Sequence, residues 1–376
     1  MGKLVAVHEQ ESIMHTFHLP TRVFFGSEAL RLGAPYLPQL GRKALLVTGR
    51  TSARKSGAWE DINWSLRQRG VEFVLFDEIE ENPSLQSVHR AAEMCREHGC
   101  DFVIGVGGGS PMDSAKAVAA IVGSKLEGHE VWDAGRITDV LPVVCMPLTS
   151  GTGSEVTPYA VLTDVEHNRK AGFGTEAMLP RLALCDPRYT LSVPPRVTRD
   201  TAIDALSHLL EGLYSRLRNP LLYPLIHEGA QLILRHLTTA MAQPDNLPAR
   251  EALMQAALYG GMTIRHTSTT LQHSVGYPLT AEFGVSHGLA NGLVMKAMME
   301  LYRPVTGQLT DDLLRRAGHT PASFYNWLDS LDMTANVTLD DEFIHRAVEV
   351  TMHSRNMANN PFEVTKEQVE EVYRNL

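Results

Sequence analysis

Five runs in the first half of the chain are apolar and short: KALLVTG (43–49), VEFVLFDEI (71–79), DFVIGVGGG (101–109), LPVVCMPLT (141–149) and YAVLTD (159–164). Between them, SLQSVHRAAEMCREHG (84–99) sets Leu85, Val88, Ala92 and Cys95 on one helical stripe, and PMDSAKAVAAIVG (111–123) behaves in the same way. Strand-like runs alternating with helical ones predict a parallel sheet with crossover helices on both faces. After DPRYTLSVPPRVTRD (186–200) the strand-like runs stop, and long helical patterns continue to the C-terminus. That proline-rich stretch predicts a boundary, with an α/β domain over 1–190 and an all-α domain over 191–376.

Length agrees with two domains, since 376 residues exceed what one core usually organises. The net charge of −9 comes with scattered Lys and Arg, which argues against a nucleic-acid partner. No apolar run approaches the roughly 18 residues that span a bilayer. The opening MGKLVAVHEQESIMH lacks the apolar core of a signal peptide, so a cytoplasmic protein with no membrane partner is expected. Cys95, Cys100, Cys145 and Cys185 form no CxxC pair and read as reduced packing residues.

Three stretches carry chemistry. In GVGGGSPMDSAK (105–116), Gly107, Gly108 and Gly109 follow a strand and allow close backbone approach. Ser110 and Pro111 make a helix start whose N-terminus favours an anion, so a phosphate site is expected. The alternative is a tight turn in which Asp113 caps Ser110 reciprocally. The stretch is neither a P-loop nor the usual G-x-G-x-x-G fingerprint, because Ser110 stands where the last glycine would be. In PLTSGTGSEVTPYAVLTD (147–164), Thr149, Thr152 and Ser154 line a loop after a strand, where open α/β sheets bind ligands. The first strand ends in VTGRTS (47–52), with Gly49 and Arg50 where an acidic residue would bind a ribose 2′-hydroxyl.

The third stretch, AIDALSHLLEG (202–212), places Asp204 and His208 one turn apart on an apolar helix. Ionisable groups there need partners. Downstream, His273 and His287 stand among apolar or small residues in TLQHSVGYPLTAEFGVSHGLANG (270–292). One carboxylate and three imidazoles suit a divalent transition metal. His266, seven residues before His273 on the same helical face, is a rival ligand that spacing alone leaves open.

The ordered set GGGSPMDSAK, PLTSGTGSEVTPYAVLTD, DPRYT, IDALSHLLEG and HSVGYPLTAEFGVSHG resembles the iron-containing alcohol dehydrogenase family, with its 1,3-propanediol dehydrogenase-like members nearest in pattern. The resemblance runs from FHLPTRVFFG (17–26) to NNPFEVTKEQVEEVY (359–373). It implies a dehydroquinate synthase-like fold: an α/β dinucleotide-binding domain joined to an all-α metal-binding domain, with the active site in the cleft between them. Matched position by position, the resemblance makes the ligands Asp204, His208, His273 and His287, and His266 falls outside the set. Gly107, Gly108, Gly109 and Ser110 would meet the pyrophosphate, and Asp113, Lys116, Thr149 and Thr152 the nicotinamide half. Tyr159 and Ile264 would line the substrate pocket.

The implied reaction is hydride transfer between NAD(P) and a small primary alcohol or aldehyde, with Fe²⁺ as Lewis acid and Zn²⁺ as an alternative. Members preferring NAD tend to carry Asp where this chain has Gly49, so NADP is expected, with NAD the alternative. Tyr277 stands where many members have a proton-relaying His, which leaves the proton route open. FHLPTRVFFG would form an edge strand shared across a homodimer. A glycerol dehydrogenase-like or dehydroquinate synthase-like enzyme on the same fold is the alternative reading.

Overall fold

The computed structural model describes residues 14–164, 166, 169–335 and 337–376; the first thirteen residues of the opening stretch read for a leader lie outside them. Eight strands are present among the described residues: β1 (Arg22–Phe25), β2 (Lys43–Thr48), β3 (Glu72–Phe76), β4 (Phe102–Gly107), β5 (Val143–Pro147), β6 (Tyr159–Asp164), β7 (Arg169–Gly174) and β8 (Leu182–Cys185). Six form one parallel sheet in the order β1-β8-β5-β4-β2-β3.

Alternation along the central strands explains the layers. In β2, Ala44 and Leu46 point into a cluster with Ile62 and Leu66 of the helix Ala58–Gln68. Leu45 and Val47 point the other way, onto Val88 and Ala92 of Leu85–Glu97 and Val118 of Gly109–Gly123. A strand covered on both faces has no solvent side, which is why these runs are continuously apolar. The parallel sheet with helices on both faces is as expected.

From residue 195 onward the described chain is helical. The helix Pro195–Tyr214 is buried continuously from Ala202 to Tyr214. It packs among Tyr223–Ala242, Leu247–Thr267 and His287–Arg316. A helix buried around its circumference must carry polar groups only where partners wait for them. No helix among the described residues is long and apolar enough to cross a membrane.

Three local expectations change. YAVLTD, counted with the parallel strands, forms β6 of a separate antiparallel ribbon with β7, Tyr159 pairing with Gly174 and Asp164 with Arg169. The sheet is completed by β1 and β8, four residues each and too short to stand out by periodicity. Ser110 does not cap its helix, which begins at Gly109 after Gly108 in an extended conformation with no side-chain cap. All four cysteines are free and buried.

Candidate active site

Because the sheet is parallel, β2, β4 and β5 end on the same edge. The chain order reverses between β2 and β4, and at such a switch point the loops diverge and leave a crevice. Gly49 follows β2, and Gly108 and Gly109 follow β4. Crowding requires the glycines: a Cβ on Gly107 would lie 2.4 Å from the Pro111 ring, and one on Gly109 2.9 Å from Thr152 Cγ2. A Cβ on Gly108 would meet Thr149 Oγ1 at 3.3 Å. Gly108, Gly109, Ser110, Thr149 and Thr152 thus gather, half-buried, at the N-terminus of a fifteen-residue helix. Arg50 is exposed and makes no ion pair among the described residues.

Beneath this rim lies a polar core. Asp113 accepts from Ser154 Oγ at 2.5 Å and from the Val161 backbone N–H at 2.9 Å, in place of the reciprocal cap. Lys116 is fully buried and donates to Ser154 Oγ at 2.6 Å and to the Tyr159 carbonyl at 2.7 Å, with Asp113 3.6 Å away. Asp113, Lys116 and Ser154 therefore brace the loop after β5 from below.

The same loop is wedged between two helices. A Cβ on Gly151 would sit 2.7 Å from Thr201 Cβ, and one on Gly153 2.3 Å from Gly261 Cα. On the far side of that contact, a Cβ on Gly260 would lie 3.3 Å from His208 Cβ. The nucleotide-side loop thus abuts the helices that carry and back Asp204 and His208. Ile264 is buried on the Leu247–Thr267 helix. The Tyr159 hydroxyl bonds the Ser268 side chain at the end of that helix.

Asp204 is the hub of the histidines. Its Oδ1 lies 3.9 Å from His208 Nε2, 3.7 Å from His273 Nε2 and 3.5 Å from His287 Nε2. Ligand atoms of Asp204, His208 and His273 fall within 4.8 Å of one another. His287 stands at the edge of that trio with its side chain 31% exposed. It opens its helix after Ser286, whose hydroxyl donates to Asp200 at 2.6 Å. A tetrahedral site with bonds of about 2.1 Å spaces its ligand atoms by about 3.4 Å, so Asp204, His208 and His273 fit a divalent cation, and His287 approaches that trio at 3.5 Å from Asp204. His266 does not join them. Its Nδ1 bonds the Met262 carbonyl at 2.7 Å and its Nε2 accepts from the His18 N–H at 3.1 Å.

Electrostatics follow burial and the shared carboxylate. Burial lowers His208 and brings His287 down to about 3, so both are neutral imidazoles at neutral pH. Burial would raise Asp204, but His208, His287 and His273 outweigh it and hold the carboxyl below its usual range. Tyr277 stacks on His287, with ring centroids 5.8 Å apart and an 11° interplanar angle. Burial pushes the Tyr277 hydroxyl up to about 12 while the Asn356 side chain bonds it.

Two residues near the cluster escaped the sequence reading. Asn291 Nδ2 donates to Asp204 Oδ1 at 2.9 Å and lies 3.2 and 3.4 Å from Nε2 of His273 and His287. Glu211 is fully buried, hydrogen-bonds His273 Nδ1 and accepts from Thr270 N and Oγ1 at 2.6 and 2.8 Å. Glu211 had a signal: it lies seven residues after Asp204, two turns along the same face.

Residues 20–187 match the family described as iron-containing alcohol dehydrogenase, and residues 198–376 match its C-terminal family. The chain belongs to the iron-containing alcohol dehydrogenases. Among curated members, a choline dehydrogenase of Bacillus subtilis is 33% identical over 76% of this chain and 72% of its own length. A 1,3-propanediol dehydrogenase of Citrobacter freundii is 33% identical over 75% of this chain and 74% of its own. The crystal structure of an iron-containing alcohol dehydrogenase from Thermotoga maritima superposes with a TM-score of 0.91 at 38% identity, covering 96% of this chain and 99% of that one.

Proposed function

We propose that this family member transfers hydride between NADP(H) and a small primary alcohol or aldehyde at a cation held by Asp204, His208, His273 and His287. The convergence of three imidazoles on one buried carboxylate carries the reading. When bound, a divalent cation supplies Lewis acidity that eases loss of a hydroxyl proton and polarises a carbonyl. Family membership favours Fe²⁺; the donor set alone suits Zn²⁺ as well.

The chain's own residues do the rest. Backbone N–H groups at Gly108, Gly109 and Ser110 hold pyrophosphate at a helix N-terminus. Thr149 and Thr152 orient the nicotinamide half, and Asp113, Ser154 and Lys116 keep that loop in register. Tyr159 and Ile264 flank the substrate. Tyr277 keeps its proton at neutral pH and covers one face of the His287 ring, so the substrate proton leaves by another path. The free edge of β1 supports pairing with a second copy of the chain.

Preference for NADP(H) is supported by Gly49, which offers no carboxylate to repel a 2′-phosphate, and by the exposed Arg50 beside it, which makes no ion pair among the described residues. A charged contact to phosphate is worth about 1.5–3 kcal/mol, or about ten- to a hundredfold in affinity. The experiment is a nicotinamide absorbance assay with a panel of small alcohols and aldehydes, run before and after chelation and on adding back Fe²⁺. Turnover lost on chelation and restored by the metal is expected, with higher kcat/KM for NADPH, and Gly49→Asp should move the preference towards NADH. Turnover indifferent to metal would refute the site, and higher kcat/KM with NADH in the unmodified enzyme would refute the cofactor preference alone.

A further inference from the structure

The helix Pro195–Tyr214 brings a second carboxylate to the histidine cluster, and it faces the back of a ligand. Glu211 is fully buried, and among the described residues no Lys or Arg forms an ion pair with it. Its Oε1 is fixed by the backbone N–H and hydroxyl of Thr270, and its Oε2 meets His273 Nδ1. With Nδ1 turned to Glu211, His273 Nε2 faces Asp204 Oδ1 at 3.7 Å and Asn291 Nδ2 at 3.2 Å.

We infer that Glu211 is a positioning residue that fixes the tautomer and angle of His273 and supplies the second negative charge that balances a divalent cation. This rests on reading Asp204, His208, His273 and His287 as the metal set. Asp204 and three neutral imidazoles leave a divalent cation with an excess charge of about +1 in a buried site. With Glu211 the sum is about zero. A carboxylate hydrogen-bonded to a ligating imidazole also raises the basicity of its metal-facing nitrogen.

The test measures Co²⁺ affinity of the full chain by chelator competition, together with the visible absorption of the Co²⁺ form. Glu211→Gln keeps a hydrogen-bond acceptor for Nδ1–H and loses the charge; Glu211→Ala loses both. Affinity should fall about tenfold in Glu211→Gln and about a hundredfold in Glu211→Ala, the span expected for an outer-sphere ligand partner. The Co²⁺ bands of Glu211→Gln should shift while its far-ultraviolet dichroism stays unchanged. If Glu211→Ala fails to fold, Glu211→Gln decides alone. Wild-type affinity and bands in Glu211→Gln overturn the inference. Wild-type affinity in His273→Ala overturns the metal set itself, so the two failures are distinguishable.

Discussion

Replacing Gly261 with alanine tests whether the contact between the β5 loop and the helices sets the active-site geometry. The new Cβ would stand 2.5 Å from the Gly153 carbonyl oxygen, 2.7 Å from Gly153 Cα and 2.8 Å from Val156 Cγ2. Carbon atoms in contact rest about 3.5–4.0 Å apart, so loop and helix must part by about 1 Å. The loop has little freedom to give, because Gly153 is already at φ +61 and Ser154 is tied to Asp113 and Lys116. Overpacking of this kind costs about 1–3 kcal/mol. A shift of about 1 Å between the nicotinamide-side loop and the metal-set helix can cost about a hundredfold in turnover.

Gly229→Ala provides the control. Its Cβ would meet Leu209 Cδ1 at 2.9 Å, the end of a flexible side chain, and its three nearest atoms belong to Leu209 and Tyr259 and none to the loop. Both variants should melt several degrees lower, at about 2–4 °C per kcal/mol for domains of this size. Only Gly261→Ala should lose kcat/KM by one to two orders of magnitude, as measured by steady-state reduction of an aldehyde panel. Wild-type kcat/KM in Gly261→Ala, or an equal loss in Gly229→Ala, would refute the reasoning.

Burial raises Glu155 from 4.5 to about 7, so the folded state holds its proton more tightly than the unfolded state and loses stability as pH climbs from about 4.5 through 7. Glu155→Gln should therefore stabilise by up to roughly 3 kcal/mol at pH 8 and far less at pH 5, read by urea denaturation; an equal change at both pH values would count against it. Tyr277→Phe should keep kcat within about tenfold, since a hydroxyl held near 12 is a poor proton relay at neutral pH. A loss of several hundredfold would make the phenol a required acid or base.

What the sequence disclosed was whatever depended on local periodicity or on residue type at a fixed spacing. β2, β4 and β5 were legible because burial on both faces makes them uniformly apolar. Asp204 and His208 stood out because they interrupt an apolar helix one turn apart. Glu211 did not, since a glutamate two turns on reads as a solvated helix face until Thr270 and His273, distant in sequence, arrive opposite it. His266 and His273 were indistinguishable by spacing; the break between the helices Leu247–Thr267 and Leu271–Phe283 and the bonds of His266 to the Met262 carbonyl and the His18 N–H separate them. The cap expected of Ser110 yielded to an extended Gly108, a backbone choice forced by crowding against Thr149 and Thr152.

The pairing of β1 with β8 has a consequence for how the chain is made. Arg22 to Phe25 lie beside Leu182 to Cys185, so among the described strands β1 is made before the only strand it pairs with, β8. The inner side of β1 waits longer still, because Val23 and Phe25 pack with Met254, Leu258 and Met262 of the helix Leu247–Thr267. At synthesis rates of about 5–20 residues per second, that delay is roughly 10–50 s. For that interval a nascent chain displays the FF pair of TRVFFG uncovered, and in the finished protein the same strand, like β3 at the opposite edge, is held along one side of the sheet only.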